Sequence, residues 1–286
     1  MKISVIIPSY NTPREYMEVL YQSLLNQTFD GEYEVIIVDD CSTVKDYSMV
    51  TDSRFHIIAN KKNSGPAYSR NHGAEAASGE ILFFTDSDCE VDKDTLKNIA
   101  ELSGSYECMM GNTITKTKTW FGKCVAYLGF PGGGNIGFHN VWKVTDGYTD
   151  SISSCNLAIR RALFFELGGF DTTFPVPGGE DTWFAKNMVQ LGHRIKYQEN
   201  QVVYHVERGD YKGFLRWQIT RGRGNYHIKR KLGKVNGFFK LRLWSFKNSI
   251  IKSRFYALIV IYLIFVSALY QTIGLKQEKK RMEGGK

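Results

Sequence analysis

Several marks of familiar protein classes are missing from this 286-residue chain. Its five cysteines, Cys41, Cys89, Cys108, Cys124 and Cys155, form no Cys-x-x-Cys pair, and an odd number cannot close into a full disulfide set, which fits a reducing compartment. The apolar run near the start, Ile3–Ile7, is too short for a signal peptide and lacks a small-residue cleavage site, so it reads as a first buried strand and the body is expected in the cytoplasm. No Gly-x-Gly-x-x-Gly follows that run, which disfavours a Rossmann-type dinucleotide enzyme. Acidic residues almost vanish late in the chain: residues 208–254 carry 14 basic side chains and one acidic, and residues 255–274 carry no charge. The formal charge of +8 therefore excludes little by itself, because residues 1–207 hold 18 basic and 26 acidic side chains. This distribution rules out a uniformly basic nucleic-acid binder, and 43% hydrophobic with 14% aromatic content rules out a disordered polyelectrolyte.

What is present begins with alternation. Apolar runs at Ile3–Ile7, Tyr33–Val38, Phe55–Ala59 and Ile81–Thr85 alternate with helix-like segments at Arg14–Gln27 and Ala67–Ala77. Short, continuously apolar strands separated by helices predict an α/β fold with a mostly parallel sheet covered on both faces. Ligands of such sheets bind beyond the carboxyl ends of the strands. Those ends are polar here: Pro8-Ser9-Tyr10-Asn11, Asp39-Asp40-Cys41-Ser42 and Asp86-Ser87-Asp88. Any one of them alone reads as an ordinary turn, since Asn, Asp and Ser cap helices and satisfy their own backbone. Three at strand ends predict a shared crevice.

Further along, Asn63-Ser64-Gly65-Pro66 opens a helix whose free N–H groups favour an anion, with Arg70 about one turn on. After Met110 comes a polar, Gly-rich stretch containing Pro131-Gly132-Gly133-Gly134-Asn135, which predicts a weakly structured functional loop or small lobe. Ser154–Ile159 is strand-like and leads to a short helix ending at Gly168-Gly169-Phe170-Asp171. Pro177-Gly178-Gly179-Glu180-Asp181-Thr182-Trp183 opens another helix, where the two carboxylates also suit the positive helix start. A strand over Gln201–Tyr204 then delivers His205.

Taken in order, VIIPSYN, VDDCS, NSGPAYSRN, TDSD, CNLAIRR with GGFD, GGEDTW and YHVE resemble the inverting GT-A glycosyltransferases of sequence family 2, from about Ser4 to about His205. The resemblance implies a Rossmann-like GT-A domain over residues 1–207 that transfers sugar from a UDP-sugar to a saccharide acceptor. It implies that Pro8 and Tyr10 line the nucleotide pocket, that Asp40 accepts a hydrogen bond from uracil with Asp39 supporting the turn, and that Arg70 helps hold the nucleotide. Asp86 and Ser87 would meet the nucleotide at its ribose, while Asp88 and His205 would hold Mn²⁺ or Mg²⁺. In the Glu180-Asp181 pair, Asp181 matches the catalytic base. Inversion in one displacement explains these residue types: a cation stabilises the departing diphosphate, and a carboxylate takes the proton of the attacking hydroxyl.

Processive members of the family carry Gln-x-x-Arg-Trp after the base. Gln218 and Arg221 match, leaving Arg221 as a diphosphate contact, but Gly222 stands where the Trp would be, which argues for addition of a single sugar. Residues 208–254 mix Arg and Lys with Phe214, Trp217, Trp244 and Phe246, which predicts a basic amphipathic region on an anionic membrane surface. Residues 255–274 are long enough for a transmembrane helix, with a buried core helix or an interfacial one as the alternatives; residues 275–286 form a basic tail. The expected partners are a UDP-sugar, a saccharide or lipid-linked saccharide and membrane lipids, without nucleic acid. A non-catalytic nucleotide-sugar-binding scaffold, or the same enzyme using a GDP- or dTDP-sugar, are the competing readings.

Overall fold

The computed structural model describes residues 1–174, 178–207, 209–233 and 238–284; the expectations that touch Pro177, Arg208 and Lys286 lie outside the described residues. Ten strands form one sheet among them: β1 (Ile3–Ser9), β2 (Tyr33–Asp39), β3 (Phe55–Ala59), β4 (Ile81–Phe84), β5 (Cys89–Val91), β6 (Cys108–Lys116), β7 (Val144–Thr145), β8 (Tyr148–Thr149), β9 (Leu157–Arg160) and β10 (Ile195–Val206). The order is β3-β2-β1-β4-β9-β6-β10-β8-β7, with β5 paired to β10. The strands β3, β2, β1 and β4 are parallel, as are β6 and β10, while β9 runs antiparallel between β4 and β6.

Period-two alternation sorts the side chains of the buried strands. Ile3, Val5 and Ile7 of β1, with Val35 and Ile37 of β2, join Met17, Leu20 and Leu24 of α1 (Arg14–Leu25) on one face. Ile6, Ile36 and Val38 face the other side, against Ala67 and Ala74 of α2 (Pro66–Ala76). Leu96 and Ile99 of α3 (Thr95–Ser103) extend the first core. The second continues after α4 (Trp120–Ala126) and α5 (Phe138–Val141) into Leu163 and Phe164 of α6 (Arg161–Glu166) and Phe184 and Met188 of α7 (Glu180–Gln190). Both faces of the sheet are thus covered.

The stretch after Met110 departs from the sequence reading. It holds β6, an interior strand between β9 and β10, followed by α4, α5 and the β7–β8 hairpin. The strand is hard to read because Gly111, Asn112, Thr113 and Thr115 interrupt its apolar pattern, yet Thr113 and Thr115 are buried in the sheet. Asn156, just ahead of β9, donates to the Asn112 carbonyl (3.1 Å) and to that of Gln201 (3.0 Å), while Asn112 Oδ1 and Thr115 Oγ1 are buried without a hydrogen-bond partner among the described residues.

The basic region forms α8 (Tyr211–Leu232) and α9 (Phe238–Ser253), and a short 3₁₀ turn leads into α10 (Ala257–Glu283). The segment Lys240–Glu283 contains the one stretch among the described residues long and apolar enough to cross a membrane. Helices α8 and α10 run parallel, side by side, joined by Tyr211–Tyr262 (2.7 Å) near their starts, Gln218–Gln271 (2.7 Å) and Asn225–Gln271 (3.1 Å) further on, and Arg223–Glu278 (2.8 Å). Gly222 and Gly274 permit this approach, because a Cβ on either would run into a backbone carbonyl of the partner helix, that of Gln271 or Ile219. Val260, Leu263, Ser267 and Gly274 face inward, while Leu258 (82% exposed), Tyr262, Phe265 (71%) and Leu269 form the outward stripe.

Candidate active site

The carboxyl ends of β1, β2 and β4 open into a crevice of about 1370 Å³. Pro8, Tyr10, Asp40, Arg70, Asp86, Ser87, Asp88, Glu180, Asp181, His205 and Arg221 all line it. Asp39 does not; it is buried and accepts from Lys45 Nζ (2.9 Å), Tyr47 Oη (3.2 Å) and Ser42 N (3.3 Å), holding the turn from behind. Tyr10 is about half exposed at the rim. The strand-end turns are stitched together: Asn11 Oδ1 accepts from Thr43 N (2.9 Å) and Val44 N (3.0 Å), and the Thr12 and Ser87 hydroxyls meet at 2.7 Å.

Asp40 Oδ1 accepts from Asn60 Nδ2 and Ser64 N, and Oδ2 from Gly65 N, each at 2.8 Å. A carboxylate has about four lone-pair positions, so Oδ2 keeps capacity for one more donor. The same three bonds fix the Asn63–Pro66 turn that opens α2.

Arg70 differs from the expectation of a hand reaching for the nucleotide. Its side chain is almost fully buried, and it binds Asp86 Oδ1 at 2.6 Å and Glu180 Oε1 at 3.3 Å. It joins the Asp86-Ser87-Asp88 turn to the Glu180-Asp181 turn, residues widely separated in sequence. Burial pushes the Glu180 carboxyl up to about 7, helped by the charge of Asp181 and opposed by Arg70. Burial also raises Asp181, against Thr182 N, Arg70 and Arg221. Asp181 Oδ1 accepts from Thr182 N (2.6 Å). The turn before this pair needs glycine: Gly178 and Gly179 have φ of 108° and 112°, outside the range that L side chains favour.

Pairing of β5 with β10 sets His205 opposite Cys89 and next to Asp88. His205 Nδ1 lies 2.7 Å from the Val206 carbonyl, which fixes the proton there and leaves Nε2 facing Asp88 Oδ1 at 3.3 Å. Two lone pairs at that distance repel unless a proton or cation lies between them. Donor atoms of Asp88, His205 and Cys89 fall within 4.8 Å of one another, and of the three the soft sulfur of Cys89 suits Mn²⁺ or Mg²⁺ least. A carboxylate and an imidazole nitrogen fit a divalent cation that takes its other ligands from phosphate oxygens.

Asn156 is fully buried as a strut between β6, β9 and β10, and Ile152, Ser153 and Ser154 line the crevice beside it. Gln218 faces α10 rather than the crevice. At the position of the missing Trp, α10 packs against Gly222, and Phe130, Trp142 and Trp217 supply aromatic rings to the crevice. Arg242 is the residue that sequence reading missed. It sat among surface-directed basic residues, but α9 buries Ser245, Ser249 and Ser253, and helical spacing sets Arg242 on that same packed face. The serine stripe was the available signal.

A twisted α/β sheet with an acidic crevice at its switch point, a carboxylate–imidazole pair and a glycine-set carboxylate pair defines a protein of the GT-A glycosyltransferase type. Comparisons agree on the fold. A crystal structure of Staphylococcus aureus TarS residues 1–349 superposes with a TM-score of 0.58 at 21% identity, covering 99% of this chain and 92% of that one. The Pyrobaculum calidifontis mannosyltransferase PcManGT, solved with GDP-Man and Mn²⁺, gives 0.59 at 21% identity over 93% and 75%. The Glycosyl transferase family 2 pattern matches residues 4–164, and the chain belongs to that family. TuaG of Bacillus subtilis is 38% identical over 117 residues, 39% of this chain and 45% of that protein. The poly(ribitol-phosphate) β-N-acetylglucosaminyltransferase TarS of Staphylococcus aureus is 41% identical over 106 residues, 35% and 18% of the two chains. The chain thus spans less than half the length of these curated relatives. The Haloferax volcanii glycosyltransferase AglE matches more broadly, at 25% identity over 85% of this chain and 79% of its own.

Proposed function

We propose that this chain is an inverting glycosyltransferase that moves a sugar from a UDP-sugar to a saccharide acceptor of a surface polymer, with Asp181 as general base. The observation that supports it most is the bracket made by Arg70, which ties the Asp86-Ser87-Asp88 turn and the Glu180-Asp181 turn into one crevice. Pro8 and Tyr10 flank the base and Asp40 Oδ2 accepts its ring N–H. Asp86 and Ser87 stand beside the ribose. Asp88 and His205 would hold Mn²⁺ or Mg²⁺, which when bound supplies positive charge for the departing diphosphate. Asp181 takes the proton of the attacking acceptor hydroxyl, and its raised affinity for protons brings it nearer to the working range of a base at neutral pH. Glu180, buried and paired with Arg70, orients this turn. The relatives' names support a surface-polymer acceptor: TarS is named for a poly(ribitol-phosphate) substrate. PcManGT, solved with GDP-Man, makes a GDP-sugar the donor to compare with UDP.

The deciding variant is Asp181→Asn, assayed over a panel of nucleotide sugars with Mn²⁺. UDP affinity should stay within about threefold of wild type while turnover falls by about 10²-fold or more. Full turnover by the variant removes Asp181 as the base, and an inert wild-type chain that still binds UDP-sugars supports the scaffold reading.

The same proposal extends to the membrane. Helix α10 lies along α8, and α8 lines the crevice with Arg216, Trp217, Thr220 and Arg221. A spanning α10 would carry these cations into the hydrocarbon layer. We therefore favour an α10 lying in the interface, its Leu258, Tyr262, Phe265 and Leu269 stripe in the lipid and Lys276 and Lys280 continuing that face toward headgroups.

A further inference from the structure

One buried charge lies outside the crevice and takes no part in the chemistry proposed above. Glu278, late in α10, has a fully buried side chain. Its Oε2 accepts from Arg223 Nε at 2.8 Å and its Oε1 from His227 Nε2 at 3.0 Å, both on α8, and Arg281 adds a donor from α10 itself. A buried ion cluster adds little stability, because desolvation offsets much of the attraction; what it can fix is which residues of two helices stand opposite one another. The register is tight here, since a Cβ on Gly274 would lie 2.1 Å from the Ile219 carbonyl oxygen. The neighbouring residues of α8 reach the other way. A Cβ on Gly224 would lie 2.0 Å from the Gly178 carbonyl oxygen, and one on Gly179 would lie 2.7 Å from the Ile228 side chain. Arg223 and His227 form one row of the helix at spacing i, i+4, and Gly224 and Ile228 form the next. One short stretch of α8 thus has Glu278 on one side and, on the other, the turn that leads into Glu180 and Asp181.

We infer that Glu278 is a positioning residue for the base: through Arg223 and His227 it holds α8 in the register at which Gly224 and Ile228 set the Gly178-Gly179 turn and so aim Asp181. The inference rests on Asp181 as base. Residues 178 and 179 bring no side chains of their own, so the turn takes its shape from what meets it: Gly178 N donates to Glu180 Oε2 at 2.8 Å, and α8 supplies the packing. Glu278 does not line the crevice, so its loss should leave donor binding intact and act on proton transfer through geometry alone. Misplacing a reacting group by about 1 Å can cost about 10²-fold in rate. Lys231 also pins the end of α8 to Asp171, so removing Glu278 loosens α8 without releasing it.

The test follows amide hydrogen exchange of the full chain in detergent with UDP and Mn²⁺, for Glu278→Ala and for Glu278→Gln, which keeps the shape and an accepting oxygen. Exchange over residues 178–184 should speed up by about tenfold or more in Glu278→Ala and by less in Glu278→Gln, while residues 81–88 exchange as in wild type. In transfer assays, kcat of Glu278→Ala should fall by about tenfold or more with the donor KM within about twofold, and Glu278→Gln should recover part of the loss. Faster exchange confined to α8 and α10, with residues 178–184 and kcat at wild-type values, overturns the positioning role. A donor KM that rises in step with the fall in kcat/KM, at unchanged kcat, overturns it as well. If Glu278→Ala exchanges fast along its whole length, it has unfolded, and Ile228→Ala, which removes only the packing on Gly179, decides: exchange over 178–184 should rise, and wild-type exchange there overturns the route through α8. Should Asp181→Asn retain turnover, Asp181 is not the base, yet exchange over 178–184 still reports whether Glu278 sets this turn.

Discussion

At the residue scale, the site depends on buried charges that restrain one another. Arg70 has carboxylates on two sides, so a displacement of Asp86 or Glu180 is felt at the other. The Glu180 and Asp181 carboxyls are both raised by burial, and repulsion between them is mutual. Protonation of the pair should therefore shut down transfer at a pH above the ordinary carboxylate range. Glu180→Gln removes one of the two charges, and the acid limb of the kcat/KM profile should move to lower pH; a limb that stays in place would remove the coupling. The stability signs differ across the molecule. Glu180 gains protons on folding, so its contribution improves as pH falls from about 7 toward the unfolded carboxylate value. Glu34 and Glu278 are also desolvated, but Ser4, Ser78 and Lys2 for the first, and Arg281, Arg223 and His227 for the second, hold both at about 2. Their contribution is present at neutral pH and disappears as pH falls from the ordinary carboxylate range through that value. The sequence made Asp40, Asp88, Asp181 and His205 legible because each sits at a strand end or helix start. The bracketing by Arg70 was not, since its partners are 16 and 110 residues away and nothing local announces them.

At the element scale, α8 is wedged between two backbones. On one side Gly222 meets Gln271 of α10; on the other Gly224 meets the carbonyl of Gly178, in the turn that sets Glu180 and Asp181. On an open helix face Gly→Ala stabilises by about 1 kcal/mol. At Gly222 the sign should reverse, with Gly222→Ala destabilising by about 1–3 kcal/mol through overpacking. Denaturant midpoints in detergent measure this, and a stabilised variant would mean that α10 does not pack as described. The parallel strands were readable from continuous apolar runs, but β6 was not, because Gly111, Asn112, Thr113 and Thr115 break its apolar run and only pairing with β9 and β10 sets them inside the sheet. Gly222 was noticed as a departure from a motif; its cause lies in a helix that begins 35 residues later.

At the scale of the whole molecule, charge and apolar surface are divided between the two ends. The acidic body holds the crevice, and the basic helices hold the exposed stripe of α10. Vesicles containing anionic lipid should bind the chain, and Leu258→Glu with Phe265→Glu should reduce the bound fraction by about tenfold while the thermal midpoint holds. Alkaline carbonate or high salt should release the native chain; retention under both would mean that α10 crosses the bilayer.

The contact of Gly224 with Gly178 also bears on how a soluble version of this protein would be made. Cutting the chain before residue 255, as one would to remove an anchor, takes away the helix that backs α8, and α8 in turn backs the turn carrying Asp181. The segment that sequence alone presents as a tether is, in three dimensions, the outer wall of the room in which the reaction would take place.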